Sequence, residues 1–214
     1  MIVREKNKTF VSARCDWLVD YFKGDDVFIV GGGPSLFGFN FSRLEGRRVI
    51  AINHSYRYCK AEILVFLDAK FAREAKERGH DPYEMPLKIV AGPSSGMHSR
   101  GNCTIVQMSQ KPSKNPASLY GRAQSGLVAI NLALIGNARN IYLLGFDAKF
   151  SNGMGHFYSK DWKHTMDDKE IQYSKMARTY DAFKEYKNIL NCNPDSGLTA
   201  FKKITINQAL GDKI

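Results

Sequence analysis

The sequence predicts an α/β protein with three layers, in which a mainly parallel β-sheet is covered by helices on both faces. Short apolar runs alternate along the chain with segments of helical character, which is typical of parallel strands joined by helical crossovers. The apolar runs show no regular alternation with polar residues, as expected for strands that are buried on both faces. At 214 residues the chain is long enough for one substantial core, and we expect a single domain over residues 1–214.

Seven apolar runs are the predicted strands. They are four or five residues long and rich in β-branched and aliphatic residues, and they end in or near polar residues or glycine. The predicted strands are Val27–Val30, Arg48–Ile52, Ile63–Leu67, Lys88–Ala91, Thr104–Gln107, Asn140–Leu144 and Ile189–Cys192.

Segments with helical spacing or composition lie between these runs. The predicted helices are Cys15–Phe22, Ala69–Arg78, Gln124–Ile135 and Met166–Tyr186. The Ser-, Pro- and Lys-rich segment Met108–Gly121 is a predicted loop. The glycine- and aromatic-rich segment 148–166 is a predicted mobile loop or lid.

The first predicted strand runs directly into the glycine loop Gly31-Gly32-Gly33-Pro34-Ser35. Glycines permit positive φ angles and a close approach of backbone N–H groups to a ligand. Pro34 suits the first turn of a helix, whose N-terminus attracts anions. The segment therefore predicts a phosphate site, although it matches neither GxGxxG nor GxxxxGK[ST], which disfavours conventional NAD and P-loop sites.

Other polar residues follow strands at the same predicted edge of the sheet. Because ligands bind at the carboxyl ends of parallel strands, Asn53, Asp68 and Asp147 are candidate nucleotide-binding residues. The predicted helix that begins near Ser125-Gly126 adds a second anion-binding terminus. Each polar side chain also has an alternative role: Asn53 as a strand-end cap, Asp68 as a helix cap or metal ligand, and Asp147 as a turn cap or Mg²⁺ ligand.

A histidine in the predicted lid is the candidate general base. Imidazole titrates near neutral pH, and His156 lies shortly beyond the strand end at Gly145-Phe146-Asp147. His164 is the competing candidate. The remaining histidines, His54, His80 and His98, are expected at the surface or in caps.

The formal net charge is +10, and its distribution is uneven. No Asp or Glu occurs from Met85 to Phe146. The basic residues in that stretch are Lys88, Arg100, Lys111, Lys114, Arg122 and Arg139. A stretch that carries only positive charges attracts phosphates or another polyanion. An ordinary basic surface is the alternative interpretation. No zinc-finger or helix-turn-helix signature indicates a dedicated nucleic-acid module.

Cysteine usage and hydropathy indicate a cytoplasmic protein. The four cysteines, Cys15, Cys59, Cys103 and Cys192, are widely spaced and form no CxxC pair, which favours reduced structural thiols. No apolar segment is long enough for a membrane span, and residues 1–6 lack the apolar core of a signal peptide.

Six motifs follow one another between residues 27 and 201. They are Val30–Leu36, Ala51-Ile52-Asn53, Ser125–Ile130, Ile141–Asp147, Gly155-His156 and Cys192–Ser196. Their order and spacing resemble the family 42 sialyltransferases. They also resemble the related motility accessory factor and pterin pyrophosphokinase-like domains, and a group of small phage-encoded proteins.

This resemblance implies a Rossmann-like fold of the glycosyltransferase type, which binds a nucleotide-linked sugar, such as a CMP-sugar, without an essential DxD metal site. It implies that residues Gly31 to Ser35 and Asn53 contact the nucleotide. It also implies that His156 removes the proton of the acceptor hydroxyl, while Tyr158 or a nearby cation stabilises the departing phosphate.

Two positions depart from the family pattern. Gly32 stands where the sialyltransferase loop usually has Asn, and Asp68 occupies a later Asn position. A carboxylate at Asp68 repels a donor phosphate unless it binds a ribose or a cation. The resemblance therefore predicts the fold and nucleotide binding more firmly than the identity of the sugar.

The leading hypothesis is a glycosyltransferase that moves a sugar from a nucleotide-sugar donor to a hydroxyl acceptor and requires no cofactor. The basic stretch favours a polyanionic acceptor, for example modified phage DNA, and a phage-encoded enzyme would act in the host cytoplasm. One alternative is a Mg²⁺-dependent pyrophosphokinase-like phosphotransferase that uses Asp68 and Asp147. Another is a non-catalytic module that binds nucleotides or nucleic acid.

Overall fold

The computed structural model describes residues 2–5, 8–11, 14–82, 88–91, 103–105, 107–122, 124–149, 154–158 and 170–212. Of the predicted lid, only residues 148–149 and 154–158 are among them, so the lid stays a prediction. His98, Arg100 and His164 lie outside the described residues. The single domain over residues 1–214 also stays a prediction.

An eight-stranded sheet forms the centre of the protein, and every pair of neighbouring strands in it is parallel. Two further pairs of strands lie outside this sheet. In chain order the strands are β1 (Ile2–Glu5), β2 (Lys8–Val11), β3 (Asp26–Val30), β4 (Arg48–Ile52), β5 (Ile63–Phe66), β6 (Lys88–Ala91), β7 (Cys103–Ile105), β8 (Gln107–Ser109), β9 (Ser118–Tyr120), β10 (Asn140–Leu144), β11 (Ile189–Asn191) and β12 (Lys202–Lys203). The spatial order of the central sheet is β12-β11-β10-β3-β4-β5-β6-β7.

Helices connect these strands. The α-helices are α1 (Ala69–Glu77), α2 (Ser125–Ile135), α3 (Glu170–Thr179) and α4 (Ile206–Leu210). Short 3₁₀ helices span Asp16–Leu18, Pro34–Leu36, Phe41–Leu44, Asn53–Arg57 and Tyr180–Phe183. Within the described residues, no helix combines the length and the apolar character needed to cross a bilayer.

Apolar residues on the two faces of the sheet form two separate core clusters. Along β3, Val27 and Ile29 pack into the cluster that contains α2, whereas Phe28 and Val30 pack into the cluster that contains Phe71 of α1. Because both sets are buried, the strand is apolar from Val27 to Val30. The structure is therefore a Rossmann-like three-layer α/β sandwich, which confirms the predicted fold class.

The first predicted helix, Cys15–Phe22, is wrong. Only Asp16–Leu18 is helical, as a single 3₁₀ turn. Asp20 has a φ angle of 58°, which an α-helix does not tolerate. The apolar residues of the segment still reach the core, since Leu18 and Phe22 are fully buried and Phe22 N–H donates to Gly136 O.

The segment Met108–Gly121 is not simply a loop. The predicted strand Thr104–Gln107 is split between β7 and β8, and β8 pairs in parallel with β9 inside the predicted loop. Asn131 of α2 holds this segment, because its Oδ1 accepts from Tyr120 N at 2.8 Å and its Nδ2 donates to Ser113 O at 2.5 Å. These contacts are distant in sequence, so local composition does not reveal them.

The fourth predicted helix, Met166–Tyr186, ends earlier than expected, and its first four residues lie outside the described part of the chain. In the described residues it comprises α3, from Glu170 to Thr179, which tightens into the 3₁₀ turn Tyr180–Phe183. Such tightening is common at the C-terminal ends of α-helices.

Three cysteines are free thiols inside the protein. Cys15, Cys59 and Cys192 are buried, and burial raises the pKa of each thiol to about 12. A thiol that stays protonated is a poor nucleophile, so these residues act as small apolar side chains. The side chain of Cys103 is not described.

The winding of the chain reverses between β3 and β10. From β3 the chain proceeds outward through β4, β5, β6 and β7, whereas β10, β11 and β12 extend the sheet in the other direction. In open parallel sheets a crevice forms at the carboxyl ends of the two strands where this reversal occurs. The fold therefore predicts a ligand site at the loops that follow β3 and β10.

We predict that Asn131→Leu lowers the free energy of unfolding by about 2–4 kcal/mol, because two backbone groups lose their partner. Chemical denaturation measures this change. Asn115→Ala is the matched control, since Asn115 caps an exposed turn in the same segment, and it should cost less than about 1 kcal/mol. Equal losses in the two variants would contradict the anchoring role of Asn131.

Candidate functional site

A cavity of about 370 Å³ opens at the crevice between the ends of β3 and β10. It brings together most of the residues that the sequence singled out. The lining includes Gly31, Gly32, Gly33, Pro34, Asn53, Asp68, Ser125, Gly126, Asp147, His156 and Tyr158. Ser35 is not part of the lining, but it contacts Asp147. The strand ends that the sequence grouped together therefore do meet at one site.

The glycine loop is glycine-rich because backbones cross there. A Cβ atom at Gly31 would lie 2.8 Å from Gly145 O, and one at Gly33 would lie 2.5 Å from the same oxygen. None of Gly31, Gly32 and Gly33 adopts the positive φ angles that glycine permits. The close approach is instead between two strand ends of the protein itself.

Hydrogen bonds across the same crossing use most of the loop's N–H groups. Gly31 N donates to Leu144 O, and Gly33 N donates to Gly145 O, both at 2.8 Å. Within the described residues, Gly32 N–H has no such partner. The loop therefore offers one backbone donor to a ligand rather than a ring of donors as in a P-loop.

Asp147 joins the loop to β10 from the other side. This carboxylate is only 3% exposed. Its Oδ2 accepts from Ser35 N at 2.7 Å, and its Oδ1 accepts from Ser35 Oγ at 2.6 Å and Asn193 Nδ2 at 2.8 Å. Asp147 therefore holds the short helix after the glycine loop in place, whatever role it has toward a ligand.

Asn191 at the end of β11 and the residues that follow it extend this network, and the sequence analysis assigned them no individual role. Asn191 Oδ1 accepts from Asn193 N at 3.1 Å, and Asn191 Nδ2 donates to Phe146 O at 3.1 Å and Ser196 Oγ at 2.9 Å. The side chains of Asn191, Asn193 and Ser196 are all buried. The signal in the sequence was the motif Cys192–Ser196, which contributes to the family resemblance but had no role of its own.

Asn53 lies at the end of β4 in a strained conformation. Its φ angle is 49°, a value that L residues adopt at a cost. Its Oδ1 is buried, and within the described residues no donor contacts it. The alternative role of strand-end cap belongs instead to Ser55, whose Oγ accepts from Ile52 N and donates to Val30 O. The residue is half-buried and lines the cavity.

Asp68 caps α1. Its Oδ1 accepts from Lys70 N at 2.7 Å, as the alternative interpretation of the sequence expected. The residue is exposed and also lines the cavity. Helix capping leaves the second carboxylate oxygen open to solvent or a ligand.

His156 and Tyr158 form the wall opposite α2. Their rings stack at 5.1 Å with an interplanar angle of 11°. The wall is bonded to the glycine loop, since Phe157 N donates to Gly32 O at 2.9 Å. Burial raises the pKa of Tyr158, which keeps its phenol protonated and able to donate.

The absence of a side chain at position 32 makes room for this wall. A Cβ atom there would lie 2.6 Å from the Tyr158 hydroxyl and 2.9 Å from His156 Nδ1. His54, expected at the surface or in a cap, is buried and packs edge-on against Tyr158 with ring centroids 5.5 Å apart. The wall therefore lies against Gly32, and Tyr158 also contacts the ring of His54.

The N-terminus of α2 faces the cavity from the opposite side. No side chain caps this helix, and within the described residues the N–H groups of Ser125 and Gly126 have no partner. Gly126 lies against Phe146 and the Tyr180 hydroxyl, which leave no room for a Cβ atom. An eleven-residue helix aimed at a cavity favours an anion there.

Several lining residues were missed by the sequence analysis. They are Ile52, Leu67, Gln124, Gly145, Phe146, Ala148, Lys149, Gly155, Tyr173, Met176, Tyr180 and Leu198. Tyr173, Met176 and Tyr180 have the spacing of one helix face, which shows that the face is buried but not what it faces. Lys149 is exposed and adds a positive charge to the lining.

Two cations of the basic stretch lie away from the cavity. Lys88 begins β6 and Arg139 precedes β10, so both are at the amino-terminal edge of the sheet. Lys88 Nζ lies 4.9 Å from the centroid of the Trp17 ring, and Arg139 pairs with Asp26 at 2.9 Å. Each of these two cations therefore already has a partner within the protein, Trp17 for Lys88 and Asp26 for Arg139.

The described residues contain no group of three or more His, Cys, Asp and Glu side chains that could hold a metal ion. Comparison with models of protein families and with curated proteins finds no match. Among solved structures, the chain is similar to the sialyltransferase CstII from Campylobacter jejuni, in complex with a substrate analogue, cytidine-5'-monophosphate. The two chains are 17% identical, the match covers 86% of each, and the TM-score is 0.47.

We predict that Asp147→Asn lowers the free energy of unfolding by about 2–4 kcal/mol. The NH₂ group of the new amide would face the N–H or O–H groups of Ser35 and Asn193, which now donate to the carboxylate. Chemical denaturation measures this. Ser35→Ala, which removes one hydroxyl donor, should cost about 1 kcal/mol. Wild-type stability of Asp147→Asn together with a loss of Mg²⁺-dependent activity would instead indicate a carboxylate that serves a ligand.

Proposed function

We propose that this protein is a glycosyltransferase that binds a nucleotide-sugar donor in the cavity between β3 and β10 and transfers the sugar to a hydroxyl acceptor. One observation carries the proposal. The cavity combines anion-binding backbone groups on the α2 side with an imidazole and a protonated phenol on the facing wall. These are the groups that displacement of a phosphate by an alcohol requires.

The α2 side suits the phosphate of the donor. The N–H groups of Ser125 and Gly126 and the helix dipole favour an anion, and Gly32 N–H adds a donor from the loop. Lys149 supplies a positive charge. These groups account for anion binding without a metal. The second carboxylate oxygen of Asp68, which takes no part in helix capping, could still bind Mg²⁺.

The facing wall suits proton transfer. His156 accepts the proton of the acceptor hydroxyl while the oxygen forms a bond to the anomeric carbon of the sugar. The bond from that carbon to the donor phosphate breaks, and the electron pair leaves with the phosphate. The neutral phenol of Tyr158 or the ammonium group of Lys149 stabilises the negative charge that develops there.

The motif order resembles both the family 42 sialyltransferases and the pyrophosphokinase-like domains, so the hydrogen bonds of the candidate metal ligands are what favours sugar transfer. A pyrophosphokinase-like enzyme would need Asp68 and Asp147 as metal ligands, yet Asp147 already accepts three hydrogen bonds within the protein. The expectation of a polyanionic acceptor rests on charge alone. Among the described residues of the basic stretch, the exposed side chains of Lys111, Lys114 and Arg122 are available for it.

A panel of nucleotide sugars, assayed with and without Mg²⁺, separates the functions. Release of nucleotide from a sugar donor without added metal supports a glycosyltransferase. Strict dependence on Mg²⁺ and ATP would favour the phosphotransferase. Inactivity with every donor, together with salt-sensitive DNA binding, would favour a non-catalytic module.

We predict that His156→Ala slows sugar transfer by about 10²- to 10⁴-fold, because the general base is lost. Donor affinity, measured by calorimetry, should change little. His80→Ala is the matched control, since His80 is exposed and outside the cavity lining, and it should keep the wild-type rate. Full activity of His156→Ala would show that another group is the base.

We also predict that Gly32→Ala slows transfer by about 10²-fold, because the new methyl group displaces the stacked rings of His156 and Tyr158. The overpacking should cost about 1–3 kcal/mol of stability, so the variant should remain folded. Rates are compared at a temperature where unfolding curves show both proteins native. A wild-type rate would mean that the position of the wall is not important for turnover.

A further inference from the structure

An exposed phenylalanine lies at the tip of the turn that follows the glycine loop. Phe37 is 55% exposed, and among the described residues Val19 is the other large apolar side chain with comparable exposure. Phe37 is the second residue of a β-turn, which Phe39 N closes by donating to Leu36 O at 3.0 Å. The second position of such a turn accepts many residue types, proline among them, so the turn itself does not require an aromatic ring there.

Three more aromatic side chains lie close to this turn. The rings of Phe39 and Phe41 meet edge to face with centroids 5.1 Å apart, and the ring of Phe41 lies 5.9 Å from that of Tyr58. All three residues are half-buried, so part of each ring remains at the surface. We call Phe37, Phe39, Phe41 and Tyr58 the aromatic platform.

Ring contacts join the platform to the proposed general base. The ring of Tyr58 lies 6.3 Å from that of Tyr158, and the two planes differ by only 14°. Tyr158 in turn stacks on His156 at 5.1 Å and 11°. Phe41 and Tyr58 also contact the ring of Phe157, at 5.3 Å and 4.9 Å. A molecule that lies on the platform is therefore next to the wall at which we propose sugar transfer.

A second cavity, of about 620 Å³, opens beside two of the platform rings. It is lined by Phe41, Ser42, Glu45, Gly46, Tyr58, Cys59 and Lys60. Glu45 and Lys60 are exposed, and within the described part of the chain neither of them forms an ion pair. A carboxylate accepts from the exocyclic amine of a nucleobase, and an ammonium group binds a phosphate. The cavity therefore combines aromatic walls with one group for a base edge and one for a phosphate.

Among the described residues, the charged side chains at the platform are three cations and two carboxylates: Arg43, Arg57, Lys60, Glu45 and Asp212. Arg43 pairs with Asp212 and also lies over the ring of Phe39, 5.6 Å from its centroid. Arg57 lies 5.7 Å from the centroid of the Tyr58 ring. Aromatic rings together with arginine and a net positive charge are typical of surfaces that bind single-stranded nucleic acid.

We propose that the aromatic platform binds a single-stranded nucleic acid and that the acceptor hydroxyl belongs to a nucleotide of that strand. Bases stack on the exposed parts of the rings, Lys60 binds a phosphate, and Glu45 accepts from the exocyclic amine of a base in the second cavity. Bases in a duplex are stacked on one another, so only a single strand offers its base faces. This inference rests on the proposed function, because sugar transfer at His156 is what makes the strand an acceptor.

Other occupants fit the platform less well. Phe39, Phe41 and Tyr58 are half-buried, so they offer little area for insertion between lipids. The carboxylate of Glu45 lies between the rings and an anionic membrane surface and would repel its headgroups. A polyanion without bases would use the cations but leave the rings uncovered.

Fluorescence anisotropy with a labelled single-stranded oligodeoxycytidylate tests binding to the platform. Phe37→Ala should weaken binding about tenfold, because a stacking ring is lost. Val19→Ala is the matched control and should bind as the wild type, since Val19 is 53% exposed, precedes β3 and lines neither cavity. Both substitutions are at exposed positions, so both variants should fold.

Two further measurements separate phosphate contacts from base contacts. Lys60→Gln should lower the slope of log Kd against log salt concentration by about 0.7, because one phosphate contact is lost. Lys187→Gln, at an exposed lysine just before β11, is its control and should keep the slope of the wild type. Linear polyphosphate of equal charge has no bases, so it should compete at least about tenfold less well than the unlabelled oligonucleotide.

The acceptor role is tested with an active nucleotide-sugar donor and two single strands: an oligoribonucleotide and an oligodeoxynucleotide that contains hydroxymethylcytosine. Labelled sugar should appear on at least one of them. Phe37→Ala should raise the KM for that strand about tenfold, since stacking contributes to its binding. Val19→Ala should keep the KM of the wild type.

The outcomes separate this inference from the proposed function. Equal affinity of the wild type and Phe37→Ala, equal competition by polyphosphate, or binding to anionic phospholipid vesicles in place of the oligonucleotide would overturn the platform as a nucleic-acid site. If the wild type still releases nucleotide from a sugar donor, the glycosyltransferase proposal stands without this acceptor. Oligonucleotide binding that depends on Phe37, together with inactivity toward every nucleotide sugar, would overturn the proposed function and the acceptor role but support the platform as a binding surface.

Discussion

The close contact between the ends of β3 and β10 is the constraint on which the site depends. Gly31 and Gly33 pass so near to Gly145 that no side chain fits between the two strand ends, and their N–H groups donate across the gap. Asp147 then attaches the following turn through Ser35. Because these contacts are made within the protein, the cavity has a rigid floor before any ligand enters.

The two sides of the cavity present different chemical groups. The α2 side presents backbone N–H groups at the N-terminus of a buried helix. The facing wall consists of His156 and Tyr158, which stack on one another and are bonded through Phe157 to the glycine loop. Gly32 lies directly against the rings of His156 and Tyr158, and a side chain at this position would clash with both of them.

The fold was predictable from the sequence wherever burial on both faces makes a strand apolar, as at Val27–Val30. It was not predictable where single tertiary contacts decide the structure, as with the positive φ angle of Asp20 or the hydrogen bonds of Asn131. The part of the cavity lining that lies at the strand ends was predictable, whereas the contribution of Tyr173, Met176 and Tyr180 was not. The hydrogen bonds of each group were not predictable either, since composition cannot show that Asp147 already has three donors within the protein.

The position of the donor can be seen in a crystal structure of the protein with a nucleotide sugar, or with the nucleoside monophosphate that remains after transfer. We expect a phosphate within hydrogen-bond distance of the N–H groups of Ser125 and Gly126, with the sugar between that phosphate and His156. A nucleotide bound elsewhere on the protein, or a phosphate remote from α2 with His156 facing away from the sugar, would contradict this expectation.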